Sequence, residues 1–462
     1  MEPVLVLNLV GLTPRLLGSG KMPHLQAYAK KVEQRSVVPP LPAVTCTAQA
    51  DMMMGAPASE HGAVANGWYF RDLAEVWLWR QSCHLINDGG RLESVFERWK
   101  RKSPESKTAQ IFWWWNLPGF ADLCVTPRPT YFADGRKGPD IHTAPPSLRK
   151  ELQDTLGDFP LFQFWGPGAG IASTRWIAES TCHVLEQHRP GLAMAYLPHL
   201  DYDLQRFGPD GPEADAAAVA LDEEFERIRQ VAEPLGYRIV ALSEYGIEAV
   251  DRAVFPNRAL REAGLLEIHP ARNGSLLDPG NSRAFAVCDH QLAHVYVDQE
   301  ARLPEMQQLL SGLPGVESCW TRKEAAAFGL DHAHSGELIL VAEPGAWFAY
   351  PYWLESETPP DFATTVDIHR KPGYDPLELF LDPTKPFLKP RLALKLLGKK
   401  LGFRTLMNVV PQDTSLVKGS HGRPPSSPDE GPLWIGPKEL CPGDGSFPAT
   451  EALRRIAPDV EA

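Results

Sequence analysis

The sequence predicts an α/β protein: a mostly parallel central sheet with helices on both faces, carrying an inserted cap subdomain. Three observations predict it. Short, nearly continuous apolar runs closed by glycine or polar residues have the pattern of strands buried on both faces. Stretches of helical period lie between those runs, which is how a parallel sheet is covered. Residues 255–365 break the alternation.

The first strand is the run Val4 to Val10, stopped by Gly11. Residues 22–32 follow with Leu25, Tyr28 and Ala29 at helical spacing, which opens the alternation of strand and helix. Buried strands are expected at 109–113, Leu192–Leu197, Arg238–Leu242, 293–297 and 337–342. Helices are expected at 171–186 and 215–235, the second rich in Ala, Glu and Arg on its outer face. The expected organisation is a core part over 1–254, a cap over 255–365 and a return to the core over 366–462. The last part holds a Pro-, Gly- and Ser-dense surface loop at 415–437 and a final helix at 450–456. No internal repeat occurs.

The chain has 462 residues, 43% of them hydrophobic and 23% charged, which suits a globular protein with a sizeable core. A formal net charge of −12 argues against binding to nucleic acid duplexes or anionic membranes, although a bound metal can reverse the local potential. Seven scattered cysteines with no CxxC pair read as reduced thiols. The N-terminus has no basic leader, and no run approaches the roughly 18 apolar residues of a membrane span, so a cytoplasmic protein is expected. Nothing in the sequence sets its oligomeric state.

Ligands of open α/β sheets bind beyond the carboxyl ends of strands, so the loops there carry the search. The most informative is residues 39–62: a Pro-rich lead, Thr45-Cys46-Thr47 before an apolar helical stretch, then Gly55 and His61-Gly62. A hydroxyl at a helix start lies near unpaired N–H groups that favour negative charge, and metal coordination would make it a nucleophile. The alternative is that Thr45 or Thr47 only caps the helix.

This segment resembles the nucleophile region of the nucleotide pyrophosphatase/phosphodiesterase branch of the alkaline phosphatase superfamily. There a threonine opens a helix, a glycine follows ten positions later and His-Gly six after that, as Thr45, Gly55 and His61-Gly62 do here. The resemblance implies that Thr45 is the nucleophile and Asn66 the phosphate-oxygen donor. Gly11 with its strand, the loop from Tyr196 through Asp201 and Gln205 to Gly208-Pro209, Ser243-Glu244-Tyr245-Gly246, and Gly419-Ser420-His421-Gly422 resemble further family segments in family order. The likeness runs from about residue 4 to 440. It implies an alkaline-phosphatase-like fold, a small phosphate-ester substrate and bound zinc.

The family holds two zinc ions with aspartates and histidines, and this sequence departs from that pattern. Val10 stands at the first-strand aspartate, with Asn8 two residues earlier facing the same side. Gln205 stands for a histidine. Glu244 is a competent oxygen ligand and Tyr245 a poor one, while Asp201 and His421 are unchanged. One or two divalent ions are both open. Asp367 and His369, at period-two spacing, are substitute ligands if that stretch is extended, with Arg370 and Lys371 as phosphate-binding cations. Their other reading is a loop histidine beside a solvated ion pair. Gln205 and Tyr245 are expected to face the substrate. Asp289-His290 with His294 is a further possible pair in the cap. Trp113, Trp114 and Trp115 either stack a planar group or belong to the core. The basic stretch 392–401 either touches a membrane surface or covers the core with snorkelling lysines. The expected function is metal-dependent phosphodiester or pyrophosphate hydrolysis through Thr45. The alternatives are a non-catalytic ligand- or partner-binding relative, and phosphomonoester, phosphonate or sulfate hydrolysis.

Overall fold

The run at the N-terminus becomes the middle strand of the main sheet. In the computed structural model, which describes residues 2–87, 90–133, 135–400, 403, 406–441 and 443–457, all six residues of Val4–Leu9 are buried. Alternation sends Leu5, Leu7 and Leu9 into the core on one face and Val4 and Val6 into the core on the other. Asn8 shares the second face and is the strand's one polar residue. Val10 packs with the leucines of the first face.

The sheet has nine strands in the order Phe447–Pro448, Glu33–Val38, Leu433–Gly436, Arg238–Leu242, Val4–Leu9, Leu192–Leu197, Thr108–Ile111, Leu123–Pro127 and Ile141–Ala144. The five from Arg238–Leu242 to Leu123–Pro127 are parallel. Leu433–Gly436 runs antiparallel to both neighbours, and Ile141–Ala144 closes the other side antiparallel. The sheet is therefore parallel at its centre and mixed at its flanks. Helices Pro23–Ala29, Ile171–His188 and Pro212–Ala232 cover the leucine face through Leu25, Trp176, Ile177, Leu221 and Phe225. Helices Thr45–Met54 and Val95–Lys102 cover the other through Met52, Met53, Phe96 and Trp99.

A second sheet of four antiparallel strands lies within the stretch that broke the alternation. Its order is Ala284–Asp289, Leu292–Val297, Leu338–Ala342, Val316–Thr321. The first hairpin turns at His290, which has φ +57°.

Three expectations need correction. The segment 415–437 is not a surface loop throughout, because it supplies the buried strand Leu433–Gly436 to the main sheet. The strand expected at 109–113 ends at Ile111, since Phe112 at φ +57° leaves the β region. The C-terminal helix at 450–456 is a 3₁₀ turn, Ala449–Glu451, followed by further turns. Of the basic stretch 392–401, residue 401 lies outside the described residues and the rest belongs to helix Leu388–Lys400. All seven cysteines are free and buried. Among the described residues no helix is long and apolar enough to cross a membrane.

Candidate active site

The segment from Thr45 to Gly62 is fixed by its backbone. Val44 is the extended N-cap of helix Thr45–Met54 and makes no side-chain cap, so Thr45 is the first helical residue. Gly55 at φ +65° ends that helix and Gly62 at φ +77° ends the next turn, Ala58–His61. Both positions need the left-handed region, and a Cβ on Gly62 would lie 2.8 Å from His332 Cε1. His61 Nδ1 accepts from Ala63 N, so its Nε2 donates to Asp51 at 2.7 Å. That buried pair ties the turn back onto the helix. The Thr–Gly–His-Gly spacing thus has a structural cause. Thr47 Oγ1 is buried without a partner, whereas Thr45 Oγ1 meets Tyr245 Oη at 3.0 Å.

Groups from distant loops converge there, at the carboxyl ends of the central strands. Tyr245 Oη donates to Asp201 Oδ1 at 3.2 Å. Gln205 Nε2 donates to Asp201 Oδ2 at 2.8 Å, and Tyr374 Oη donates to Gln205 Oε1 at 2.7 Å. Glu244 Oε2 accepts from Asn8 Nδ2 at 2.6 Å and from Gln49 Nε2 at 2.8 Å. Gln49 Oε1 in turn accepts the backbone N–H of Trp114 at 2.6 Å, so its amide cannot be turned round. His421 stacks on Tyr245, with ring centroids 3.7 Å apart and planes at 7°. Its Nδ1 donates to Ala43 O at 2.7 Å, which leaves the Nε2 lone pair 3.7 Å from Asp201 Oδ1.

Burial governs the charges. Desolvation pushes the Asp201 carboxyl up to about 7, against the hydrogen bonds from Tyr245 and Gln205. It pushes Glu244 up to about 8, against the bonds from Gln49, Asn8 and Thr45. Burial pushes His421 down to about 3, so this imidazole is neutral.

The second, four-stranded sheet contributes more than the sequence indicated. Both Asp289 oxygens accept from Asn66, one from its backbone N at 2.7 Å and one from Nδ2 at 3.0 Å. Asn66 Oδ1 accepts the Cys46 N–H at 3.0 Å. Burial raises Asp289 to about 7. His290 lies between His421 and Tyr374, at ring-centroid distances of 3.7 and 3.8 Å, and burial holds it well below the usual histidine range. His294 is elsewhere, bridging Val64 O and Gly336 N.

The structure brings Thr45, Asn66, Asp201, Gln205, Glu244, Tyr245 and His421 together. It does not bring the stretch 367–371. Residues 367–370 form a turn closed by Arg370 N to Asp367 O, not an extended strand. Asp367 pairs with Lys137 at 3.2 Å and Arg370 at 3.4 Å, and His369 and Arg370 are exposed. Lys371 is buried, with its Nζ 2.7 Å from both Asp375 and Glu378. It is neutralised there and not offered to a phosphate. The tryptophan cluster is core: Trp113, Trp114 and Trp115 are all buried, and Trp115 Nε1 donates to Cys46 O. Gln49 and Tyr374 were missed by the sequence reading, which held Asp289-His290 as a candidate pair with His294. The one signal for Gln49 is its position a helical turn after Thr45.

The zinc pair implied by the resemblance does not fit these residues. Gln205 and Tyr245 place hydrogen-bond donors where the resemblance requires ligands, Asn8 turns its Nδ2 to Glu244, and amide N–H groups already occupy Asp201 Oδ2 and Glu244 Oε2, while Asn8 Oδ1 and Glu244 Oε1 are left without a partner. Asp201 and His421 approach each other as two ligands of one ion do. Among the described residues no group of three His, Cys, Asp or Glu side chains is placed to hold a metal.

The family model for type I phosphodiesterase / nucleotide pyrophosphatase matches residues 4–375. Comparison with curated proteins returned no match. Among solved structures, phosphonoacetate hydrolase from Sinorhizobium meliloti 1021, in complex with phosphonoformate, is 13% identical with a TM-score of 0.60, covering 99% of this chain and 95% of its own. Murine ectonucleotide pyrophosphatase / phosphodiesterase 5 is 12% identical with a TM-score of 0.60, covering 99% and 96%. An inactive form of the same murine protein, in complex with AMP, is 13% identical with a TM-score of 0.59, covering 99% and 94%. At such identities the structures establish the alkaline-phosphatase-like fold, while the family model spans most of the sequence. The chain belongs to the type I phosphodiesterase / nucleotide pyrophosphatase family.

Proposed function

We propose that this protein is a hydrolase of small phosphate esters, with Thr45 as its nucleophile. One observation carries the reading: Thr45, Asp201, Tyr245 and His421, from four separated stretches, meet in one set of hydrogen bonds and ring contacts. Thr45 Oγ1 attacks phosphorus. Its proton passes to Tyr245 Oη while Tyr245 gives its own to Asp201 Oδ1, and the leaving oxygen departs with the electron pair of the broken P–O bond and takes a proton from water. A second water then releases the phosphothreonine. A carboxyl near 7 suits the accepting end of that path. The raised values of Glu244 and Asp289 also leave the pocket less negative at neutral pH than ordinary carboxylates there would make it, which favours an anionic phosphate. The start of the helix at Thr45 favours the same charge. No step passes through a metal ion.

A panel of aryl phosphodiesters, phosphomonoesters, phosphonates and sulfates, run on the wild type and Thr45→Ala, tests the reading. Thr45→Ala is expected to lose at least about a thousandfold in kcat. Full activity in that variant refutes the nucleophile. A second reading, ligand binding without turnover, is favoured by Asn66 Nδ2 and Cys46 N–H, whose hydrogen bonds are already satisfied inside the protein. Saturable binding of AMP or phosphonoformate, with no turnover of any member of the panel, selects it.

A further inference from the structure

The helix Leu388–Lys400 is turned inside out. Its inner side rests on the small core around Val250, Trp347, Leu377 and Val409 through Leu388 and Leu392. Lys395 also points inward, its Nζ donating to Leu406 O at 2.6 Å and to Asn408 Oδ1. The outward side carries an apolar stripe with exposed Arg391 beside it: Phe387 just before the helix is 80% exposed, Leu394 69% and Leu397 54%. With exposed Pro390 these follow at intervals of three and four residues, a single stripe along the helix. Phe403 at 66% and Leu406 at 59% extend the exposed apolar surface beyond it. A stripe of this kind facing water calls for a covering surface.

Charge decides which surface. Residues 385–404 hold seven lysines and arginines, and no aspartate or glutamate occurs from 383 to 412, in a chain whose net charge is −12. The overall charge had argued against an anionic membrane because it averages this segment away. A second copy packed on the same stripe by two-fold symmetry would set this basic segment against itself. An anionic bilayer supplies both missing partners, acyl chains for the exposed Phe and Leu side chains and headgroup charge for a segment of this net charge.

We infer that helix Leu388–Lys400 and its flanks form a docking surface for an anionic lipid bilayer, lying in the interface plane with the Phe387–Leu394–Leu397 stripe inward. This goes beyond the hydrolase reading and is independent of it, since none of these residues lies in the Thr45 pocket.

Flotation of the full-length protein with phosphatidylcholine vesicles, with and without phosphatidylserine, tests the surface. The wild type is expected to bind the phosphatidylserine vesicles at least about tenfold more tightly than the neutral ones, and to be released by high salt. The double substitution Leu394→Glu and Leu397→Glu acts on exposed side chains, so it leaves phosphoesterase activity unchanged and abolishes flotation. Arg391→Glu, also exposed, weakens binding and its salt dependence. Wild-type protein that fails to float with either vesicle overturns the inference, and so does binding that both variants retain. Self-association removed by the double substitution, with no flotation, assigns the stripe to a second copy and overturns it equally.

Discussion

Glu244→Gln isolates the charge at the heart of the pocket. Glu244 is fully buried, its Oε2 accepts two amide donors, and its Oε1 has no partner. Burial raises this carboxyl from an ordinary 4.5 to about 8. Because the folded value lies above the unfolded one, the group's contribution to stability is full below 4.5 and is lost as pH rises through 8. Each pH unit in that window costs about 1.4 kcal/mol, so the whole effect is on the order of 5 kcal/mol. A glutamine keeps an oxygen for Asn8 and Gln49 and cannot ionise. Urea unfolding of both proteins across the window should therefore show the wild type losing on the order of 5 kcal/mol more than the variant between its acid and alkaline ends. Parallel stability curves would refute the reasoning, because they would mean that the ionised Glu244 is compensated by a cation or by solvent.

Two further perturbations test neighbouring parts of the same account. Lys371→Met leaves Asp375 and Glu378 buried beside each other without their shared cation, so urea unfolding should register a loss of about 3–5 kcal/mol, and a loss within experimental error would show that the trio is hydrated. Calorimetric titration of chelator-treated wild type should find no zinc site tighter than about micromolar, while the combined Asn8→Asp, Gln205→His and Tyr245→His substitutions should tighten binding at least about a hundredfold. Stoichiometric zinc on the wild type would overturn the reading of the donor set.

Elements buried on both faces were the most legible. Leu192–Leu197 and Arg238–Leu242 are continuous apolar runs because helices cover both sides of the parallel block, and their bounds came directly from that pattern. Leu433–Gly436 was hidden because four residues among prolines and glycines are too short to show a period, and its place is set by the two long strands it slots between. In the candidate site, the spacing that singled out Thr45 has a backbone cause, the left-handed positions at Gly55 and Gly62. The 367–371 stretch misled for the opposite reason: period-two spacing brings Asp367 and His369 to one side only in an extended chain, and this one turns. Asp289 and His290 reach the pocket through a hairpin corner of another sheet, a contact that local sequence does not encode.

That corner changes how the pocket works as a unit. Asp289 grips Asn66 by two hydrogen bonds, and Asn66 caps the Cys46 N–H one residue beyond Thr45, so a residue of the four-stranded sheet sets the donors at the start of the helix that Thr45 opens. Each of the three buried carboxyls is held by uncharged donors: Tyr245 and Gln205 on Asp201, Asn8 and Gln49 on Glu244, Asn66 on Asp289. The orientation of the Gln49 and Asn66 amides is fixed by backbone N–H groups that can only donate. An incoming phosphate would meet groups able to donate to its oxygens once they leave the carboxyls. The same hydrogen bonds that disfavour a zinc pair therefore supply the polarity a phosphate ligand needs, with Tyr245 linking Thr45 to Asp201.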